Sequence, residues 1–191
     1  ADYDVILDGC DNFETRCLVN RTAVKLQKPL ISGALSQWEG QLSVFDPACD
    51  TPCYECIFAT APADGLAPSC AMAGVLGPLP GVVGAMMAVE AIKVVAQAGA
   101  ALRGEMLIYD ALYGESRKLT IKPRVDCPVC GKASGLRVPA PGPLRSRGRS
   151  CSWGIGTVKE AAAARRLRCG RALVLRLVCV GVEVVVQLDR L

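Results

Sequence analysis

Histidine is absent from the 191-residue sequence, and aromatic residues make up only 5% of it. Because histidine is missing, a tetrahedral zinc site in this chain must be all-cysteine or use carboxylate ligands. For the same reason, a general base must be Asp, Glu, Lys, Tyr or water. Any chemistry that this chain performs must be built from those groups.

Long apolar runs are also absent, since the stretch 75–98 is interrupted by Glu90, Lys93 and several glycines and prolines. A membrane-spanning helix needs about 18 or more consecutive apolar residues, so we predict no membrane span. The opening residues, Ala1-Asp2-Tyr3-Asp4, lack the charged and then apolar pattern of a secretory signal. With 51% hydrophobic residues, the sequence predicts a globular, cytoplasmic protein with one ordinary core.

Cysteine, by contrast, is abundant, with 11 residues. An odd number argues against a complete set of internal disulfides. Two Cys-x-x-Cys pairs, Cys53 with Cys56 and Cys127 with Cys130, could supply the four soft ligands that tetrahedral zinc prefers. We therefore predict a structural zinc site that joins distant segments and leaves no open position for a substrate. The alternatives are a redox-active Cys-x-x-Cys motif or two unrelated pairs of buried cysteines.

Charge divides the chain into two parts. Residues 1–134 contain 11 basic and 15 acidic residues, whereas residues 135–191 contain 11 basic and 3 acidic residues. A proline-rich linker at 139–143 follows the boundary. The sequence predicts a folded body over 1–134 and a basic linker and tail over 135–191, which is a disordered extension or the product of out-of-frame translation. A nucleic-acid-binding zinc ribbon is disfavoured, because the body that carries the cysteines is net acidic.

The body alternates between strand and helix patterns. A short apolar run ending at Asp8 predicts a buried strand, and Asp11 or Asn12 can cap a helix that continues to about Gln27. This order predicts a right-handed βαβ unit and an α/β body. We further predict strands at 30–34, 40–46, 106–110 and 117–121, and a loop at 47–74. A mostly buried helix is predicted at 79–97. Its apolar positions at helical spacing are Val82, Val83, Met86, Val89, Ile92 and Val95. In the tail, 157–168 has a helical pattern and 173–188 the pattern of one or two strands.

The segment from Asp8 to Arg16 is the second candidate site. Asp11 follows a strand end and precedes a helix, where a carboxylate could hold Mg²⁺ against phosphate oxygens while backbone amides meet the anion. Arg16, one helical turn further on, could reach the same phosphates. The alternative is that Asp11 and Asn12 serve only as a helix cap.

Ordered motifs across residues 2–131 resemble the MoeB, ThiF and HesA family of adenylyltransferases. They are Leu7-Asp8-Gly9-Cys10-Asp11-Asn12 with Arg16 and Asn20, Pro29-Leu30-Ile31-Ser32-Gly33-Ala34, Glu39-Gly40-Gln41, Pro52-Cys53-Tyr54-Glu55-Cys56, Ala73-Gly74-Val75-Leu76-Gly77-Pro78, Glu90-Ala91-Ile92-Lys93, Tyr109-Asp110-Ala111 and Cys127-Pro128-Val129-Cys130-Gly131. The resemblance implies a Rossmann-like, partly parallel sheet of the ubiquitin-activating-enzyme type with a structural zinc site. It further implies that the chain is the carboxyl-terminal half of such a protein, truncated at the N-terminus.

The same resemblance implies a reaction. An ATP- and Mg²⁺-dependent enzyme would adenylate the terminal glycine of a ubiquitin-like sulfur-carrier protein of the MoaD or ThiS type, in molybdopterin or thiamine biosynthesis. By position Asp11 matches the family's metal-binding, catalytic aspartate, Asn12 and Arg16 match its neighbours at the nucleotide, and the four paired cysteines match the zinc ligands. Relatives are often homodimers, so we expect a homodimer for the intact enzyme, with neither a membrane nor a nucleic acid as partner.

Cys70 is the third candidate, in Pro68-Ser69-Cys70-Ala71-Met72-Ala73-Gly74. By position it matches a loop cysteine that in several relatives forms a covalent acyl or persulfide link during sulfur transfer. A thiolate near a helix N-terminus has favourable electrostatics for such nucleophilic work. The alternative is that Cys70 takes no part in the reaction.

One part of the family pattern has no counterpart in this sequence. The Gly-rich phosphate loop, the acidic ribose contact and further basic residues for the triphosphate are all expected upstream of Asp2. We therefore expect the chain alone to bind nucleotide poorly and to be nearly inactive unless another polypeptide supplies these groups. The competing interpretation is a non-catalytic zinc-containing module that binds a ubiquitin-like protein or pairs with a complete subunit.

Overall fold

A computed structural model describes residues 3–61 and 70–131, without the side chains of residues 70 and 71, together with the backbone of two strands between 173 and 188. The described body contains five strands and four α-helices. They are β1 (Ile6–Asp8), α1 (Phe13–Leu26), β2 (Leu30–Ser36), β3 (Glu39–Phe45), α2 (Tyr54–Ile57), α3 (Cys70–Ala73), α4 (Leu79–Ala96), β4 (Glu105–Asp110) and β5 (Glu115–Thr120), with a short 3-10 helix at Pro47–Cys49.

The five strands form one mixed sheet in the order β1-β2-β3-β4-β5. β1 and β2 are parallel, and the remaining neighbours pair antiparallel. Because α1 connects the parallel pair, the predicted βαβ unit and α/β fold are confirmed. In this register Asp8 lies opposite Ser32, so the carboxyl end of β1 places a carboxylate beside a hydroxyl of the neighbouring strand.

Local signals explain the limits of α1. The side chain of Asn12 accepts a hydrogen bond from the backbone N–H of Thr15 at 2.8 Å, which satisfies one of the free donors at the start of the helix. The helix ends where Gln27 adopts a left-handed conformation with φ of 53°. The predicted helix is therefore confirmed, with Asn12 as its cap residue.

Helix α4 packs across β2 and β3 and forms much of the core. Its approach is close because Gly33 and Gly40 have no side chain: a Cβ on Gly33 would overlap Met87, and one on Gly40 would lie 2.5 Å from Val83 Cγ2. The buried residues of α4 are Leu79, Val83, Gly84, Met87, Ala88, Glu90 and Ala91.

The apolar face predicted for this helix was largely wrong. Of that set only Val83 is buried, whereas Val82, Val89 and Val95 are 36%, 54% and 39% exposed. The reason is that α4 is apolar on nearly every side, so hydrophobic spacing alone could not identify the face that meets the sheet. The glycines of β2 and β3 decide it instead.

Among the described residues, α4 is also the one helix long and apolar enough to cross a membrane by length and composition. Its packing indicates a core helix, because Leu79, Val83, Met87 and Ala91 lie in a buried cluster with Ile31 of β2. Core helices of globular proteins commonly satisfy the same length and composition criteria.

Two other predicted segments differ in detail from expectation. The loop predicted at 47–74 contains the 3-10 helix, α2 and α3, while residues 62–69 lie outside the described part of the chain. In the tail, β6 (Leu173–Cys179) and β7 (Val182–Leu188) form an antiparallel pair, which confirms the strand prediction there. The helix predicted at 157–168 falls on residues that the structure does not describe.

Candidate functional site

The four paired cysteines meet in one buried cluster, with their sulfur atoms all within 4.8 Å of one another. The Sγ–Sγ distances are 3.6 Å for Cys53–Cys127, 4.0 Å for Cys53–Cys56 and 3.2 Å for Cys56–Cys130. Four sulfurs around zinc at ~2.3 Å would be separated by about 3.8 Å, whereas a disulfide requires about 2.05 Å. The geometry and donor set therefore fit structural zinc, and the interpretation as two unrelated pairs is wrong.

The cluster favours a thiolate at Cys56. Hydrogen bonds from the Cys130 and Cys53 thiols, together with one from the backbone N–H of Arg124, hold the pKa of Cys56 well below its usual range. The same proximity raises the pKa of Cys53 through its hydrogen bonds with Cys130 and Cys56. A metal ion that binds here would displace the remaining thiol protons. Its affinity would therefore decrease as the pH is lowered.

Residues of α1 hold the first cysteine pair in place. The amide of Asn20 accepts a hydrogen bond from the Tyr54 backbone N–H at 3.0 Å and donates one to Glu55 at 3.2 Å. Arg21 adds two hydrogen bonds to the same carboxylate. Neither Glu55 nor Arg21 was predicted as a site residue from the sequence, where the available signal was an acidic residue between the two cysteines of a Cys-x-x-Cys pair.

A small cleft lies at the carboxyl end of β1, open towards solvent. Its walls are the β1–α1 turn, the second half of β2 and the first half of α4. It is lined by Gly9, Cys10, Asp11, Arg16, Gly33, Ala34, Leu35, Pro80, Val83, Gly84 and Met87. The structure thus brings together two of the predicted site residues, Asp11 and Arg16.

Arg16 is buried in the cleft wall and held by three neighbours. Its Nη2 donates to the Gly33 carbonyl at 2.8 Å, its Nη1 donates to Ser32 Oγ at 3.3 Å, and the same nitrogen lies 3.8 Å from Asp8 Oδ2. Asp8 in turn accepts from the backbone N–H of Cys10 at 3.0 Å. This network fixes the guanidinium before any ligand binds. Asp8 lies in the segment predicted from the sequence, but its contact with Arg16 and the part of Ser32 were not predicted, because the pairing of Asp8 with Ser32 across parallel strands is a property of the register.

The other predicted residues occupy different positions. Asp11 is exposed in the turn before α1 and lines the cleft, while the side chain of Asn12 is engaged as the helix cap. Cys70 is the first residue of α3, and its side chain lies outside the described residues.

Chemically, the cleft combines a hard oxygen ligand with a preorganised cation. A carboxylate such as that of Asp11 suits Mg²⁺, and a fixed guanidinium such as that of Arg16 suits a carboxylate or phosphate. The two sites share α1, because Arg16 near its start lines the cleft and Asn20 and Arg21, about one turn later, contact the segment that carries Cys53 and Cys56.

Comparison with known sequences gives consistent matches. The profile described as the ThiF family matches residues 1–129. The sulfur carrier protein adenylyltransferase of Thermus thermophilus is 51% identical over 133 residues, which are 68% of this chain and 49% of that protein. The SAMP-activating enzyme E1 of Haloferax volcanii is 44% identical over 132 residues, 69% of this chain and 48% of that enzyme. The chain spans about half the length of these relatives.

A third relative and the solved structures extend the comparison. The adenylyltransferase and sulfurtransferase MOCS3 of Caenorhabditis briggsae is 39% identical over 138 residues, 72% of this chain and 34% of that protein. Escherichia coli MccB in complex with MccA-N7isoASN superposes with a TM-score of 0.56 at 19% identity, over 67% of this chain and 41% of that one. At this identity the superposition establishes the fold alone, and it confirms the predicted ubiquitin-activating-enzyme type of mixed sheet.

Proposed function

Because this chain belongs to the ThiF family, we propose that it forms the carboxyl-terminal part of an enzyme that adenylates the terminal glycine of a ubiquitin-like sulfur-carrier protein. The observation that carries the proposal is the cleft that both Asp11 and Arg16 line. The guanidinium of Arg16 is buried there and contacts three neighbouring residues. The names of two relatives support it, since that in Thermus thermophilus is a sulfur carrier protein adenylyltransferase and that in Haloferax volcanii is a SAMP-activating enzyme E1.

In the proposed reaction a carboxylate oxygen of the carrier attacks the α-phosphorus of ATP. A carbon-bound oxygen then becomes linked to phosphorus, the bond to pyrophosphate breaks, and the products are an acyl adenylate and pyrophosphate. Asp11 would hold Mg²⁺, which neutralises charge on the phosphates when bound. Arg16, already fixed in the wall, would orient an anionic group without rearrangement during the reaction.

The cysteine cluster would serve this site indirectly. We propose that Cys53, Cys56, Cys127 and Cys130 bind one zinc ion that ties the segment after β5 to α2 and, through Glu55, to α1. Because α1 also carries Arg16, the metal would stabilise one wall of the cleft. Four protein ligands leave no position for a substrate, which makes the proposed role structural.

The remaining parts of the proposal concern the whole protein. We propose that the Gly-rich phosphate loop comes from the rest of the enzyme or from another polypeptide, that the described part alone catalyses little, and that the intact enzyme is a cytoplasmic homodimer. Molybdopterin and thiamine biosynthesis are the proposed pathways. A covalent role of Cys70 after adenylation is a separate proposal.

The test requires a completed enzyme, made by supplying the amino-terminal half of a ThiF-family relative. Asp11→Ala should abolish carrier-dependent exchange of pyrophosphate into ATP, because position and counter-charge at the phosphates are both lost. Asp126→Ala, which removes an exposed carboxylate beside the metal cluster, is the matched control and should exchange normally. Exchange that survives Asp11→Ala would refute the metal role.

Cys70→Ser separates the two chemical steps in the same enzyme. Adenylation needs no thiol, so exchange should continue, whereas sulfur transfer through a covalent link should fail. If exchange is lost in Cys70→Ser, the thiol acts at an earlier step than proposed. A completed enzyme that binds the carrier but shows no exchange would favour the non-catalytic module.

A further inference from the structure

We infer that Asp8 is a positioning residue, whose buried negative charge fixes the direction in which Arg16 presents its guanidinium to the cleft. The part that Asp8 plays in catalysis rests on the proposed function and deepens it, because Arg16 would orient an anionic group there. The contribution that we assign is the charge of Asp8, which differs from the two neutral hydrogen bonds between Arg16 and β2.

The first observation is an unused acceptor beside Arg16. The side chain of Asp8 is only 1% exposed, and its Oδ1 accepts a hydrogen bond from the backbone N–H of Cys10. Among the described residues, Asp8 Oδ2 is the one buried side-chain oxygen or nitrogen atom without a hydrogen-bond partner. It lies 3.8 Å from Arg16 Nη1, beyond the usual length of a hydrogen bond. Such an atom costs free energy in the interior, so stability alone does not explain it.

The second observation concerns the charge of Arg16. Its side chain is 10% exposed, and a guanidinium stays protonated when it is buried. Its two hydrogen-bond acceptors, Ser32 Oγ and the Gly33 carbonyl, are neutral and cannot balance a positive charge. Among the described residues, Asp8 is the one ion-pair partner of Arg16. Because a buried charge without a counter-charge is strongly disfavoured, Asp8 keeps the guanidinium in the cleft wall.

The positions of these groups explain how Asp8 sets a direction. Asp8 ends β1, whereas Ser32 and Gly33 belong to β2, so the guanidinium is held from two neighbouring strands at once. Arg16 lines the cleft and Asp8 does not. Asp8 would therefore act on a ligand only through Arg16.

The first experiment follows the Arg16 side chain in the full, zinc-loaded chain, without ATP or a carrier protein. NMR measures the rate at which the Nε proton of Arg16 exchanges with water, and Arg16→Met identifies that signal by removing it. Asp8→Asn keeps the shape of the side chain and an acceptor for Cys10 but removes the charge. Asp4→Asn is the matched control, because Asp4 lies 3.9 Å from Lys28 in an ion pair at the surface.

We expect Asp8→Asn to accelerate this proton exchange by about tenfold or more, since a guanidinium without its counter-charge opens towards solvent more often. Asp4→Asn should exchange like the unmodified chain. Ser32→Ala should have a smaller effect than Asp8→Asn, because it removes a neutral hydrogen bond of 3.3 Å. Unchanged proton exchange in Asp8→Asn, or equal effects of Asp8→Asn and Ser32→Ala, would overturn the inference.

A second measurement decides the matter if Asp8→Asn does not fold. Arg16→Met leaves the carboxylate of Asp8 buried without a counter-charge, whereas the double variant that combines it with Asp8→Asn removes both charges. The double variant should therefore have the higher transition temperature of the two. If its transition is no higher than that of Arg16→Met, Asp8 supports the fold independently of Arg16, and the inference fails.

In the completed enzyme, a positioning role predicts that kcat and KM respond differently. Asp8→Asn should lower kcat for carrier-dependent pyrophosphate exchange by about tenfold or more and leave the KM for ATP nearly unchanged, because Arg16 remains but is no longer held in place. Asp4→Asn should change neither constant. An unchanged kcat, or a raised KM alone, would overturn the catalytic part of the inference. A completed enzyme without any pyrophosphate exchange would refute the proposed function instead, and the NMR experiment would still decide whether Asp8 positions Arg16.

Discussion

Glu55 accepts two hydrogen bonds from the guanidinium of Arg21, from Nε to Oε1 and from Nη2 to Oε2, each 3.0 Å long. The Glu55 side chain is only 3% exposed, while that of Arg21 is 57% exposed. Glu55 stands between Cys53 and Cys56, so the Glu55–Arg21 pair joins α1 to the segment that carries the first two clustered cysteines. The arrangement neutralises a buried carboxylate close to four thiols.

Removing the arginine should destabilise the fold. We expect Arg21→Ala to lower the free energy of unfolding by about 1–2 kcal/mol, because the buried carboxylate of Glu55 loses both hydrogen bonds from Arg21. The effect is limited because the Arg21 side chain is largely exposed to solvent. Urea denaturation at constant zinc measures it. Arg124→Ala is the control, because Arg124 pairs with the exposed Asp126 and its loss should leave the transition unchanged. Equal effects of the two substitutions would contradict the structural role of the Glu55–Arg21 pair.

Zinc content should depend on the four clustered cysteines. We expect about one zinc per chain after dialysis, lost in Cys53→Ser and in Cys127→Ser because each removes a thiolate from the tetrahedral set. Cys49→Ser, outside the cluster, should retain the metal. Elemental analysis provides the measurement, and chelation should lower the thermal transition, since metal binding contributes to folding. A stably folded, metal-free protein would contradict this prediction.

The close packing of α4 predicts intolerance at Gly40. A Cβ there would lie 2.5 Å from Cγ2 of the buried Val83, and a β-branched side chain has few rotamers with which to move aside. Gly40→Ala should cost about 1–3 kcal/mol in the free energy of unfolding. Gly81→Ala, where the new methyl group meets nothing within 4 Å, should not destabilise. Similar stabilities of the two variants would show that α4 can move away from the sheet.

The change of charge after Ser134 predicts that the tail is dispensable for the body. A chain that ends at Ser134 should keep its zinc content and its thermal transition, because the net acidic part contains both cysteine pairs and all five strands of the main sheet. Calorimetry and elemental analysis of the shortened and full chains test this. A large drop in the transition temperature would mean that the tail packs against the core.

Several features of this protein were determined by short stretches of sequence. The cap at Asn12 and the stop after Leu26 define α1, and a run ending in an acid places Asp8 at a strand terminus. The two Cys-x-x-Cys spacings identified all four members of the cysteine cluster, because each spacing creates a local turn that presents both thiols. Such signals involve neighbours in the chain and can be recognised without a structure.

Only the tertiary structure decided how these pieces combine. The parallel register sets Asp8 beside Ser32 and so surrounds Arg16, and Glu55 meets Arg21 across 34 positions of sequence. The buried face of α4 is likewise the one that meets the glycines of β2 and β3. Because this helix is apolar on most sides, its own sequence does not indicate which face packs against the sheet. These relationships depend on contacts between distant segments, and the energies that select them arise only when the segments pack together.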